Sequence, residues 1–216
     1  MLRDMPHFLI LLIFLHGCTN ESDSQANKNS PDIRDRQNKS GSFILSSNDF
    51  LNGGIIPPHS ACKWLGGENR APQLNWTNIP PETGKLAIVM DDETRNSGDK
   101  ATKHWAVFNI PPSTTNLSLG KENETSHGIT QGQNYTKKIG YAGPCPPKLH
   151  RYSFTLYALR QEMPLIKDGT EFTRSQFMRK FSDYIIDSTT LLGSYKPPVA
   201  RRFFNKVKEF FDDLLR

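Results

Sequence analysis

The chain has 216 residues, 36% of them hydrophobic, and a formal net charge of +5 at pH 7. This length predicts one domain with tails rather than several domains. The basic excess lies mainly in residues 196–216, which carry six basic and three acidic side chains. Because no basic stripe interleaved with aromatic residues is present, the composition argues against nucleic-acid binding.

Residues 8–15 form an unbroken apolar run, FLILLIFL. The run is shorter than the ~20 residues that cross a bilayer and fits an export signal, which we place at residues 1–18. It ends in Leu15-His16-Gly17-Cys18, which resembles a bacterial lipobox. Cys18 is therefore the predicted lipidation site, and plain secretion is the alternative.

Residues 19–41 contain almost no apolar side chains and fit a flexible polar tether. Signal, lipidation site and tether together predict an exported lipoprotein, anchored in a membrane of the cell envelope on the periplasmic side.

Residues 42–195 form the predicted globular domain and are mostly β. Short apolar runs at 86–90 and 105–110 indicate buried strands, and apolar residues alternate with others over 152–158. Clusters of proline and glycine separate these runs. The segment Phe172 to Leu192 is predicted to be a helix, with Phe177 and Phe181 on its apolar face.

Three cysteines are present, and lipidation of Cys18 leaves Cys62 and Cys145. An even pair in an oxidising compartment makes a disulfide possible. Sequence alone does not bring the two residues together, so free thiols remain the alternative.

Two histidines open predicted strands directly after polar loops. His104 follows an acidic segment that includes Asp91, and His150 follows the proline-rich turn at 143–147. Imidazoles at loop ends on a rigid scaffold can donate hydrogen bonds to an anion. A carboxylate such as Asp91 can orient a ring and raise its pKa. Purely structural roles for both histidines are the alternative.

These two segments resemble the two motifs of the phosphatidylethanolamine-binding (Raf kinase inhibitor-like) family, in particular its bacterial branch. The first segment matches D-P-D-A-P, a loop, H-W and N-I-P at Asp91, Glu93, His104-Trp105 and Asn109-Ile110-Pro111. The second matches G-P-C-P-P, H-R-Y and L-Y-A-L at 143–147, 150–152 and 156–159. The resemblance spans residues 43–195 in the family's order. Both prolines of the first motif are missing, and Arg95 adds a positive charge near the expected site.

The resemblance implies a mainly β fold, in which a large antiparallel sheet packs on a smaller sheet with a few peripheral helices. It also implies a pocket at one end of the sheet for phosphate, other small anions or phospholipid headgroups. The residues expected to form that pocket are Asp91, His104, Gly143, Cys145, Pro147, His150 and Tyr152. No cofactor or metal is expected.

Two other functions stay open at this point. The resemblance includes members that inhibit kinases or proteases, so a protein–protein regulator is the main alternative. Acid–base hydrolysis by Asp91, His104 and His150 is a weaker one, because no nucleophile motif accompanies these residues.

The last segment, residues 196–216, is predicted to be an amphipathic helix. Its apolar positions recur at helical spacing, at Phe203, Val207, Phe210, Phe211 and Leu214. Such a helix can dock on its own domain or across a homodimer. It can also lie in the membrane interface beside the lipid anchor.

Overall fold

A computed structural model describes residues 41–118 and 128–198 of the chain. The predicted export signal, the lipidation site Cys18, nearly all of the predicted tether and residues 199–216 of the predicted amphipathic helix lie outside these ranges. Within the two ranges, no helix is long and apolar enough to cross a membrane.

The described residues form nine strands in two sheets. The strands are β1 (Ile44–Ser46), β2 (Gly54–Ile55), β3 (Leu74–Thr77), β4 (Lys85–Asp92), β5 (Thr102–Ile110), β6 (Asn116–Leu117), β7 (Thr130–Gln131), β8 (His150–Leu159) and β9 (Ile185–Tyr195). The smaller sheet has the order β1-β3-β6, and the larger has the order β2-β9-β8-β4-β5-β7. All neighbours pair antiparallel except β2 and β9 at one edge, which are parallel. The prediction of a mainly β fold with a large and a small sheet is confirmed.

Strands β4 and β5 are buried on both faces of the large sheet, which explains their continuous apolar runs. Strand β8 is also buried on both faces but alternates apolar residues with others, including the buried Ser153 and Thr155. In β4 the apolar residues at even positions, from Leu86 to Met90, pack with the smaller sheet. Ala87 and Val89 pack on the other face, against the helix α1 (Arg174–Phe181). Since successive side chains of a strand point to opposite faces, Asp91 and Asp92 at the end of β4 are directed apart.

The predicted helix from Phe172 to Leu192 is wrong in its second half. Helix α1 covers only Arg174–Phe181, and β9 begins at Ile185. A capping box starts the helix: Gln176 N donates to Thr173 Oγ1, and Thr173 N donates to Gln176 Oε1. After it, β-branched residues such as Ile185 and Ile186 favour a strand. Pairing of that strand along β8 overrides the helical spacing of the apolar residues.

Candidate functional site

A cavity of about 670 Å³ opens where β4 ends and where β5 and β8 begin. Five of the seven residues predicted for the pocket line it: His104, Cys145, Pro147, His150 and Tyr152. Gly143 is not among the lining residues and lies in the turn before β8, and Asp91 lines a different cavity.

His104 reaches the cavity through a β-bulge. Strand β5 pairs Trp105 with Met90 and Lys103 with Asp91, so His104 is an extra residue with no partner in β4. A bulge of this kind redirects a side chain, and bulges are common beside functional sites. In a regular strand His104 would share the helix-facing side with Asp91. The bulge instead brings its ring to 5.1 Å from the ring of Tyr152, measured between centroids.

The His104 ring is held in one orientation. Its Nδ1 lies 2.6 Å from the carbonyl oxygen of Ala142, and because a carbonyl can only accept, Nδ1 carries the hydrogen. The ring is 3% exposed, and this burial lowers the pKa of His104 to about 4. The ring is therefore neutral near pH 7, and its Nε2 is a hydrogen-bond acceptor.

His150 is oriented by Asp92, not by Asp91. Its Nδ1 donates to Asp92 Oδ2 at 2.6 Å, and both side chains are buried. The other oxygen of Asp92, Oδ1, accepts from the backbone N–H of Thr94 at 2.9 Å. Asp92 therefore takes the role that was predicted for Asp91, because strand alternation turns Asp92 toward the cavity and Asp91 away from it.

Asp91 lies in a second cavity of about 400 Å³ beside the start of α1, with Glu93 and Arg174. Its Oδ2 accepts from the backbone N–H of Arg174 at 2.6 Å, while its buried Oδ1 has no hydrogen-bond partner in the described parts of the chain. Burial raises the pKa of Asp91 to about 7, and the neighbouring Glu93 carboxylate adds to the increase.

Two tyrosines bring hydroxyl groups to the first cavity. The hydroxyl of Tyr152 is buried and makes no hydrogen bond of regular geometry among the residues that the structure describes, although the Asp92 carboxylate lies close enough to interact with it. Desolvation raises the pKa of Tyr152 and of Tyr135, so both stay protonated and can donate. The ring of Tyr135 lies 4.8 Å from that of His104, between centroids. Buried hydroxyls without such a bond are unusual, and Tyr152 is therefore a candidate ligand contact.

The turn before β8 is fixed on several sides. Gly143 N donates to Asn69 Oδ1 at 2.8 Å, and Asn69 Nδ2 donates to the carbonyl of Tyr141 at 3.2 Å. A Cβ on Gly143 would lie 2.2 Å from the carbonyl oxygen of Ser60, so only glycine fits there. The part that Asn69 plays in this turn depends on contacts between residues more than 70 positions apart and could not be predicted from the local sequence.

The structure joins the two cysteines whose pairing could not be decided from the sequence. Cys62 and Cys145 form a disulfide with their Cα atoms 5.4 Å apart. Cys145 lines the cavity, and Cys62 N also donates to the carbonyl of Pro144 at 3.0 Å. The disulfide therefore ties the proline-rich turn to the segment that precedes β3.

Exposed cationic side chains complete the lining. Arg95 follows β4 and Lys148 precedes β8, and both border the cavity. The resulting site has two positive charges at its mouth and one buried carboxylate, Asp92, within it. Across the described ranges, no group of three or more His, Cys, Asp or Glu side chains could hold a metal ion.

Comparisons with known proteins match the part of the chain that forms the two sheets and the cavity. A family profile described as phosphatidylethanolamine-binding protein matches residues 46–196. A UPF0098 protein of Methanothermobacter thermautotrophicus is 34% identical over 155 residues, which is 70% of this chain and 97% of that protein. A UPF0098 protein of Aquifex aeolicus is also 34% identical over 155 residues, with coverage of 69% and 86%.

Two solved structures share the fold. A crystal structure from Chlamydia trachomatis, described as a phosphatidylethanolamine-binding protein homolog, is 30% identical with a TM-score of 0.60, and the match covers 74% of this chain and 100% of that chain. YbcL of Escherichia coli, described as a new member of the mammalian PEBP family, is 24% identical with a TM-score of 0.63 and coverage of 72% and 99%. At 24% identity the second likeness concerns the fold alone.

Proposed function

The chain belongs to the phosphatidylethanolamine-binding protein family, and on that premise we propose that it is an envelope-tethered protein whose cavity binds a small phosphate-bearing anion. The observation that carries the proposal is the convergence of His104, His150 and the unpaired hydroxyl of Tyr152 on one cavity. These groups come from two strands and are fixed before any ligand arrives. Such preformed sites with a few convergent polar groups are typical of ligand pockets.

The charges around the cavity support an anion as the ligand. Arg95 and Lys148 border the mouth and attract negative charge. The carboxylate of Asp92 is already engaged, since one oxygen accepts from His150 and the other from Thr94 N–H. Donation from Tyr152 to a phosphate oxygen would give a buried hydroxyl a hydrogen bond of regular geometry, which it lacks within the described residues.

Isothermal titration calorimetry with O-phosphoethanolamine at pH 6 tests the binding function. We expect saturable heat with the wild-type protein and at least about a tenfold weaker Kd in the His104→Ala/His150→Ala double variant. His59→Ala, a histidine outside the cavity lining, is the matched control. Equal affinity of the double variant and the control would refute the proposed site.

The proposal that the protein is tethered to a membrane depends on Leu15–Cys18 and on the polar residues that follow them. We propose that Cys18 carries the lipid and that residues 19–41 hold the domain away from the membrane. Metabolic labelling with radioactive palmitate, followed by membrane fractionation, tests this. Label should be lost in Cys18→Ser and retained in the Cys62→Ser/Cys145→Ser variant; unchanged label in Cys18→Ser would refute lipidation at that residue.

A protein partner is the second candidate function. The observation that favours it is Leu149, a 50% exposed apolar side chain next to Lys148 at the cavity border. Cross-linking in envelope preparations, compared between wild type and Leu149→Asp, separates this function from small-anion binding. A partner lost in Leu149→Asp while phosphoethanolamine still binds would favour the regulator role.

A further inference from the structure

We infer that the cavity selects ligands that themselves carry an acidic hydroxyl group, and this inference rests on the proposed anion site. Such ligands are phosphate monoesters with one P–O–H group. The cavity binds them in preference to phosphate diesters and sulfate esters. The geometry behind this inference is the fixed hydrogen bond from His104 Nδ1 to Ala142. It leaves a lone pair on Nε2 as the only remaining hydrogen-bonding capacity of that ring.

The orientation of His104 is locked from several sides. The backbone N–H of Ala142 donates to the carbonyl of His104 at 2.9 Å. The two residues are therefore joined by two hydrogen bonds, this one and the bond from the His104 ring to the Ala142 carbonyl. The adjoining Gly143 is fixed by Asn69. A flipped ring would lose its bond to Ala142 and leave that carbonyl unpaired, which carries an energetic cost.

The groups that face His104 determine whether Nε2 can gain a proton. They are Asp92 from β4, His150 and Tyr152 from β8, and Tyr135 from the segment between β7 and β8, with Arg95 and Lys148 at the mouth. Asp92 favours the charged ring and His150 disfavours it, but burial is the largest effect and keeps the pKa of His104 near 4. Above pH 5 the ring therefore offers an acceptor.

The site thus presents donors and at least one acceptor together. The hydroxyls of Tyr152 and Tyr135 and the two cationic side chains can donate, whereas Nε2 of His104 needs a donor from the ligand. Sulfate esters and phosphate diesters carry only acceptor oxygens at neutral pH, so one oxygen would oppose the Nε2 lone pair. A monoester monoanion turns its P–O–H toward Nε2 and its remaining oxygens toward the donors.

A matched pair of small esters tests the inference on the wild-type protein. O-phosphoethanolamine and ethanolamine O-sulfate share one scaffold, and at pH 5.5 both ester groups are mainly monoanions. They then differ in the P–O–H group alone. We expect the phosphate ester to bind at least about tenfold more tightly by calorimetry, as an unpaired buried acceptor implies. Glycerophosphoethanolamine, a diester, should bind as weakly as the sulfate ester.

The dependence on pH separates hydrogen bonding from simple charge attraction. With a second pKa of about 6, the fraction of monoester carrying P–O–H rises from about 1% at pH 8 to about 75% at pH 5.5. We expect affinity for the phosphate ester, relative to the sulfate ester, to rise over this interval by more than about tenfold. Attraction by Arg95 and Lys148 alone would favour the dianion and give the opposite trend. Titration of protein charges affects both esters in the same direction, so the ratio reduces this contribution.

The outcomes distinguish this inference from the proposed function. Equal affinities for the two esters at pH 5.5 would refute the inferred selectivity but would not refute the proposed anion site. No binding of any ester overturns both. His104→Gln, whose amide can donate where Nε2 accepts, should reduce the preference, whereas the control His59→Gln should keep it.

Vesicles identify the source of the monoester. Phosphatidylcholine vesicles that contain 20% phosphatidic acid present a monoester headgroup, and those with 20% phosphatidylglycerol present an anionic diester. Preferential sedimentation with phosphatidic acid supports a lipid source, and binding of the soluble ester without vesicle binding supports a free metabolite. Equal binding to both vesicle types would contradict monoester selectivity.

Discussion

Replacing Asp91 by asparagine should leave stability unchanged below about pH 4 and should stabilise the protein increasingly as pH rises from about 4 to about 7. The carboxyl is 1% exposed, and its Oδ1 has no hydrogen-bond partner within the described residues. Asparagine keeps an oxygen that can accept from the backbone N–H of Arg174, as Asp91 Oδ2 does. The substitution therefore removes the buried charge and preserves the contact with α1.

The magnitude follows from the change in the pKa of Asp91 on folding. The folded pKa is about 7 and an unfolded aspartate titrates near 3.9. Between these values the folded state holds a proton that the unfolded state has lost, so stability falls as pH rises, by about 1.4 kcal/mol per unit. From pH 5 to pH 8 the wild type should lose roughly 2–3 kcal/mol through this group.

Urea unfolding followed by tryptophan fluorescence at pH 5, 6, 7 and 8 measures the effect as a difference between Asp91→Asn and wild type. The comparison with wild type is needed because His104 changes stability with pH in the opposite direction. Burial lowers the pKa of His104 to about 4. Its contribution to the free energy of unfolding is therefore fully present above pH 6.5 and is lost as the pH falls toward 4. Asp183→Asn, at an exposed position, controls for the loss of one formal charge. A stability gain in Asp91→Asn that is the same at pH 5 and pH 8 would refute the reasoning.

Three further predictions concern the supports of the first cavity. Replacing Cys62 and Cys145 with serine removes a cross-link between positions 83 residues apart and should lower the free energy of unfolding by about 4–5 kcal/mol in urea titrations. Asn69→Ala removes two hydrogen bonds of the turn and places alanine at a φ of 59°, which should cost about 2–4 kcal/mol in the same assay. Tyr152→Phe removes an unpaired buried hydroxyl, so stability should stay within about 1 kcal/mol of wild type while phosphoethanolamine binding weakens about tenfold in calorimetry.

Each of these three has a result that contradicts it. Wild-type stability of the double serine variant would show that the disulfide does not constrain the unfolded chain. For Asn69→Ala, Asn48→Ala at an exposed site is the comparison, and equal effects would refute the role of the turn. A Tyr152→Phe protein that binds as tightly as wild type would exclude the hydroxyl as a ligand contact.

The two-sheet fold and the approach of the two histidines are implied by the resemblance of the motifs to the family, whereas strand periodicity alone indicates only that residues 42–195 are mostly β. The choice between Asp91 and Asp92 could not be made in that way. Adjacent strand residues face opposite sides, and the motif contains two neighbouring aspartates with nothing local to say which one points inward. Pairing with β8, where Asp92 lies opposite Tyr152, decides it.

Three other features depend on contacts between distant segments. The bulge at His104 exists because β5 slips by one residue against β4. The bond from His104 to Ala142 fixes which ring nitrogen remains available, and no local pattern encodes it. The helix predicted to reach Leu192 ends at Phe181 because β9 pairs along the whole of β8.

The neighbours that build the first cavity are far apart along the chain, and this has a kinetic consequence. Asp92 and His150 are separated by 58 residues, and His104 and Ala142 by 38. Strands that pair over such distances raise the contact order, and domains of high contact order fold slowly, on timescales of about milliseconds to seconds. A chain that has emerged only as far as Pro147 lacks both His150 and β8. The cavity can therefore form only after nearly the whole domain has been synthesised and folded.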